Sequence, residues 1–153
     1  MIERIDVAVT PATAPIGLRG TIVVVIDVLR ATTTIIRALE AGAASVVPCL
    51  EPEDAVGLRN RVGRERVLLG GERDSRKIIG FDLDNSPASY TPDVVGGKTI
   101  AFTTTNGTRA LQRVGHAGAA GVFCGAFVNR RAAVAALAAA DAHEALLVCA
   151  ADD

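Results

Sequence analysis

Apolar positions along this chain switch repeatedly between two spacings. Val23 to Ile26 are consecutive and β-branched within a run over 21–29 that predicts a buried strand. Ile35, Ile36 and Leu39 then recur at helical spacing and predict a helix over 31–41, with Gly42 as its stop. The unit repeats. A strand over 45–50 precedes the helix "EPEDAVGLRNRVG", which has Pro52 near its first turn and Gly63 at its end. Further strands are predicted over 66–71, 98–104, 121–127 and 144–150, the last three separated by helices near 108–114 and 130–140. Between 71 and 97 about 25 residues lack clear periodicity, longer than an ordinary connection and therefore read as a functional loop.

This alternation implies an α/β fold, a three-layer α/β/α arrangement with a mostly parallel sheet, formed as a single domain over 1–153. In such sheets ligands bind beyond the carboxyl ends of the strands. The polar residues follow that rule: Asp27 and Arg30 end the first predicted strand, Glu72 and Arg73 the third, residues 103–108 the fourth, Asn129 the fifth, and Asp152 with Asp153 the sixth.

Composition narrows the partners. Half of the 153 residues are hydrophobic, only 3% are aromatic, and the formal net charge is −1, so neither a basic stripe nor a stacking platform for nucleic acid is present. A small anion, needing only a local site, stays open. The amino-terminal "MIERIDVAVTPA" lacks the pattern of a signal peptide, and no window reaches the roughly 18 apolar residues of a membrane span, so a cytoplasmic protein without membrane partners is expected. Cys49, Cys124 and Cys149 are widely spaced within apolar runs and read as buried thiols rather than a disulfide framework or metal knuckle. A homodimer is one way to bury part of so apolar a surface.

Three stretches carry chemistry. In "TTTNGTRAL", Thr105, Asn106 and Thr108 can cap a helix and Gly107 lets backbone approach a ligand; the same residues serve either simple capping or oxyanion binding. "RATTT" repeats the arrangement with Arg30, a suitable bidentate partner for an anion. "GGERDSRKIIGFDLDNSP" offers hard oxygen donors in Glu72, Asp74, Asp82 and Asp84, and its alternative is a solvated charged loop. Asp27, at the end of a buried strand, needs either a pairing with Arg30 or a cation such as Mg2+. No Walker pattern, GxGxxG or GxSxG motif is present. An acidic, arginine-bearing pocket with helix starts suits metal-assisted transfer of a phosphoryl group to water.

In this order and spacing, "VVVIDVLRATTTI", "GERDSRKIIGFDLDNSP" and "KTIAFTTTNGTRAL" resemble the 2-phosphosulfolactate phosphatases over nearly the whole chain. The resemblance implies a Mg2+-dependent phosphatase that hydrolyses (2R)-O-phospho-3-sulfolactate to 3-sulfolactate and phosphate, a step in coenzyme M biosynthesis. It also implies a fold of two dissimilar α/β parts with the site between them. Family members continue past the equivalent of "LLVCAADD", so this chain is expected to lack their carboxyl-terminal part and one wall of the site.

Carried over by position, the shared polar residues are Asp27, Arg30, Thr32, Glu72, Arg73, Asp82, Asn85, Ser86, Thr104, Asn106, Gly107 and Thr108. Asp27, Glu72 and Asp82 are expected to hold Mg2+, with Asp27, Arg30 and Glu72 catalytic. Arg30, Ser86 and residues 105–108 are assigned to phosphate, with Thr32 and Thr104 beside them, and Arg73 with Asn85 to the sulfonate or carboxylate. A metal-activated water is the expected nucleophile, since Leu29 stands where an aspartyl-phosphate mechanism wants a second aspartate. The competing expectations are a non-catalytic anion-binding or assembly domain, and a phosphatase of another small phosphorylated carboxylate.

Overall fold

The computed structural model describes residues 2–151, so Asp152 and Asp153 lie outside the described residues. The chain runs β1 (Arg4–Ala8), β2 (Thr21–Ile26), α1 (Ala31–Glu40), β3 (Ser45–Pro48), α2 (Pro52–Val62), β4 (Val67–Arg73), β5 (Arg76–Lys77), α3 (Pro92–Val95), β6 (Thr99–Thr103), α4 (Gly107–His116), β7 (Gly121–Gly125), α5 (Arg130–Ala139) and β8 (Glu144–Cys149). The α/β alternation and predominantly parallel pairing match the sequence reading. The strands, however, divide between two sheets, β1-β8-β2-β7 and β3-β6-β4-β5. All neighbours are parallel except β4 and β5, an antiparallel hairpin.

The division follows from which faces are apolar. In β2 and β8, Val23, Val25, Leu146 and Val148 form one core with Ala110 and Val114 of α4. A second core joins Ala31, Ile35 and Ala38 of α1 to Ile100 and Phe102 of β6, and a third joins Ala55 of α2 to Val67, Leu69 and Ala101 on the other face of that sheet. Thus α1, which leaves β2 of the first sheet, packs on the second, and α4, which leaves β6 of the second, packs on the first. The two helices form a layer shared by both sheets, and each sheet with its helices is an α/β/α sandwich. The amino termini of α1 and α4 consequently open at the same place, beyond the carboxyl ends of β2 and β6.

Three elements escape the sequence pattern, one of them α3, a four-residue helix too short to show periodicity within the long loop. In β1, the sequence RIDVA alternates charged and apolar residues and is mostly exposed along the sheet edge, so it has no long apolar run to mark it. The β4–β5 hairpin turns on Asp74 and Ser75, whose φ values of 51° and 63° are left-handed, the geometry of a two-residue primed turn usually signalled by Asn-Gly or Asp-Gly. Within β4, Gly71 has φ 132°, and a Cβ there would fall 2.8 Å from the carbonyl carbon of Thr103. Glycine alone lets β4 press against β6 just before Glu72 leaves the sheet.

On the far side of the first sheet, an apolar cleft of about 480 Å³ lies between Val24, Ile26 and Leu147 and the α5 residues Ala133, Val134 and Leu137. It contains no site chemistry. Among the described residues, no helix is long and apolar enough to cross a membrane.

Candidate active site

A polar cavity of about 270 Å³ lies where the two helix starts meet, and its walls include Asp27, Arg30, Glu72, Asn85, Thr105 and Asn106. Leu29, Asp74 and Ser75 complete them. Six residues assigned from the sequence in three separate chain segments therefore share one pocket.

Asp27 is held from both sides. The backbone N–H groups of Ala31 and Arg30, at the start of α1, favour the charged form of its carboxylate. Its backbone N–H donates to the Thr32 hydroxyl at 3.0 Å, and that hydroxyl lies 2.8 Å from both the Asp27 and Gly125 carbonyls. Thr32 is fully buried, so its hydroxyl fixes the turn after β2 and ties it to β7; it does not face the pocket. The neighbouring threonines act alike: Thr33 donates to the Val28 carbonyl at 2.7 Å and Thr34 to the Asn85 carbonyl at 3.2 Å. Burial pushes the Asp27 carboxyl above its usual range, against the two backbone donors and Arg30, and the nearby Glu72 pushes the same way. No ion pair of Arg30 forms among the described residues, so Asp27 keeps a charge that is only partly compensated.

Glu72 is buried, at 7% exposure, but well provided with donors. One carboxylate oxygen accepts the Thr105 N–H at 2.7 Å; the other accepts the Ser75 N–H at 2.8 Å and the Thr105 hydroxyl at 3.1 Å. The hairpin and the start of α4 thus fix Glu72 and leave one lone pair free on Oε1. Thr105 also accepts the Asp74 N–H at 3.2 Å, which closes the loop around the carboxylate.

The start of α4 is built by exchange. The Thr108 N–H donates to the Thr104 hydroxyl and the Thr104 N–H to the Thr108 hydroxyl, both at 3.1 Å, and the Thr108 hydroxyl donates to the Thr104 carbonyl at 2.9 Å. Both threonines are buried and so shape the helix start from behind, leaving Thr105 and Asn106 on the pocket wall. Gly107 is there for closeness: a Cβ on it would lie 2.8 Å from Asp27 Oδ2 and would collide with the Ala31 Cβ.

Besides the buried threonines, three more assigned residues go elsewhere. The Asp82 carboxylate, expected to hold metal, is paired with Arg59 at 3.0 Å and accepts the Leu69 N–H at 2.8 Å; it fastens the long loop to β4 and α2. The Arg73 guanidinium, expected on substrate, bonds the Leu50 carbonyl, the Thr103 hydroxyl at 2.8 Å and the Glu72 carbonyl at 3.1 Å, bracing the ends of three strands. Ser86 donates its N–H to Asp84 at 3.0 Å and is absent from the pocket wall. Asp74 and Ser75 join that wall only because of the hairpin, which the Asp-Ser pair signals weakly.

Among the described residues no group of three histidine, cysteine or acidic side chains converges as a metal site. Three acidic residues, Asp27, Glu72 and Asp74, nevertheless line one small pocket, and Asp27 is destabilised as an anion by burial and by Glu72. That all-oxygen set fits a hard divalent cation, which would relieve both effects.

The family model for 2-phosphosulpholactate phosphatase matches residues 9–153. The chain is 51% identical over 128 residues to the probable 2-phosphosulfolactate phosphatase of Caldanaerobacter subterraneus subsp. tengcongensis, covering 84% of this chain and 52% of that protein. It is 42% identical over 146 residues to the protein of the same name from Thermotoga petrophila, covering 95% and 59%. Against that from Symbiobacterium thermophilum it is 52% identical over 112 residues, covering 73% and 47%. The chain spans about half the length of the curated relatives it matches. With the motifs, the α/β fold and the matched span in agreement, this chain belongs to the 2-phosphosulfolactate phosphatase family.

Proposed function

We propose that the pocket at the starts of α1 and α4 binds 2-phospho-3-sulfolactate and, with Mg2+, hydrolyses its phosphate ester to 3-sulfolactate and phosphate. The observation that carries this reading is the meeting of Asp27, Glu72 and Arg30 at two helix amino termini in one polar cavity of about 270 Å³, in a chain of this family. Helix starts favour anions, and a guanidinium matches a phosphate or sulfonate edge. The carboxylates would repel the same anion unless a cation stands between them.

Asp27 and the free lone pair of Glu72 would hold that cation. When bound, Mg2+ supplies Lewis-acid stabilisation to the phosphoryl oxygens and lowers the pKa of a coordinated water. The chain's own part is positional. Thr105 and Ser75 keep Glu72 from rotating, Thr32 keeps Asp27 at the pocket, and Arg30 offers a positive charge without a competing ion pair among the described residues. Thr105 and Asn106 line the side on which the substrate's oxygens would rest. The three free cysteines suit the reducing cytoplasm, where such a step in coenzyme M biosynthesis would run.

Phosphate release from synthetic 2-phospho-3-sulfolactate, measured with Mg2+ and with EDTA, tests the reading. Metal-dependent turnover that disappears in Asp27→Asn, with the fold intact by circular dichroism, is the expected result. Absence of metal-dependent release across the pH range would leave a non-catalytic anion-binding domain as the better description.

A further inference from the structure

Asn85 is only 4% exposed, lines the polar cavity, and its Oδ1 has no hydrogen-bond partner among the described residues. Buried polar atoms are ordinarily satisfied, and leaving one without a partner costs about 1–3 kcal/mol. An amide at a pocket wall whose oxygen is sealed from solvent without a partner gains by turning that oxygen toward a ligand in the cavity.

Its position is strongly determined. The Tyr90 hydroxyl donates to the Asp84 carbonyl at 2.7 Å, the Thr34 hydroxyl reaches the Asn85 carbonyl, and the Asp84 carboxylate accepts from Ser86 and Ser89 at 3.0 and 3.1 Å. Upstream, Leu83 donates its N–H to the Leu69 carbonyl at 3.0 Å and accepts the Gly71 N–H at 3.3 Å. The backbone on both sides of Asn85 is thus bonded to β4, α1 or the loop itself, while its side-chain oxygen is left over.

The charge of the surroundings identifies the ligand. Asp27, Glu72 and Asp74 share the wall with a single cation, Arg30. A half-turn about the terminal torsion of an asparagine exchanges its oxygen and nitrogen, and in an acidic pocket holding a cation it is the oxygen that turns inward. Hard divalent cations take neutral amide oxygens together with carboxylates. We propose that Asn85 Oδ1 is the third protein oxygen of a divalent-cation site completed by Asp27 and Glu72, the role that the sequence alone assigned to Asp82. The inference rests on the reading that this pocket takes a divalent cation.

Titration with Mn2+ alone, followed by electron paramagnetic resonance of the free ion and by calorimetry, separates the two. Wild-type protein is expected to bind Mn2+ at one site, Asn85→Ala roughly tenfold or more weakly, and Asn85→Asp at least as tightly as wild type. Asp82→Asn is expected to bind as wild type does. Melting curves with and without Mn2+ provide a second readout: the shift in Tm given by the ion should shrink in Asn85→Ala and persist in Asp82→Asn. Wild-type binding left unchanged in Asn85→Ala would overturn the role of Asn85 alone; loss of binding in Asp82→Asn, with its fold intact, would do so too. Failure of wild type to bind Mn2+ would overturn the metal reading and this inference together.

Discussion

Asp27 and Asp82 look alike in the sequence, each an acidic residue beside apolar neighbours in a motif that resembles a phosphatase, yet the fold treats them oppositely. Asp82 meets Arg59 and the Leu69 N–H through one carboxylate oxygen, Oδ2, so its charge is paired and that oxygen is occupied in fastening a loop. Asp27 meets only the N–H groups of a helix start, a partly distant arginine and the repulsion of Glu72, and burial raises its pKa. One corner of the molecule uses a carboxylate to hold structure together; the other leaves a partly compensated carboxylate on the wall of the polar cavity. In the proposed reading, the working carboxylate is distinguished by what the fold withholds from it.

Neutralising the two aspartates gives the sharpest break. Asp27→Asn should reduce metal-dependent phosphate release and Mn2+ affinity by about 100-fold or more, a change of roughly 3 kcal/mol, read by kinetics and titration. Its stability should move the other way. Because folding raises the Asp27 carboxyl, folding favours the protonated form, and the charge costs stability as pH rises through the raised value. Without added metal, Asp27→Asn should therefore melt above wild type near neutral pH, and the gap should close in acid.

Gly107→Ala attacks the same corner from the helix side. The added methyl meets Asp27 Oδ2 and Ala31, so a loss of about 1–3 kcal/mol in chemical denaturation is expected, together with weaker cation binding. Asp82→Asn should be a purely structural lesion. It removes a half-buried charge from Arg59 and should lower stability by about 1–2 kcal/mol while Mn2+ affinity holds; a parallel loss of affinity would erase the contrast with Asp27. Thr105→Ala should have the smallest effect, about 0.5–1.5 kcal/mol, by releasing one hydroxyl from Glu72. The pH dependence sharpens the picture further: Mn2+ affinity should fall on acidification through an inflection above the ordinary aspartate value, because the proton competes for a carboxyl whose pKa burial has raised.

Much of this was legible beforehand where local rules govern. A long β-branched run marked β2, short apolar runs marked β3, β4, β6, β7 and β8, helical spacing marked α1, and Pro52 with Gly63 marked the ends of α2. The strand-end rule singled out Asp27, Arg30, Glu72, Thr105 and Asn106; they follow strands of two sheets and meet because α1 and α4 open at the same place. β1 was missed because an edge strand with charged residues carries no apolar signature, and the hairpin was missed because its Asp-Ser turn is an uncommon one. Thr32, Thr104 and Thr108 were assigned to ligand because a hydroxyl at a helix start serves a substrate and the backbone equally well; only their burial and their bonds separate the two uses.

By itself, the sequence determined the alternation of strands and helices, the concentration of polar chemistry at strand ends and the family to which those motifs belong. These follow from spacing and residue type, which are local. The tertiary structure decided that α1 and α4 cross between two sheets, that Arg73 and Asp82 brace the walls while Asn85 faces the cavity, and that Asp27 is left with its charge unpaired. Each of those outcomes depends on which distant donor arrives beside a side chain, and no spacing along the chain encodes that meeting.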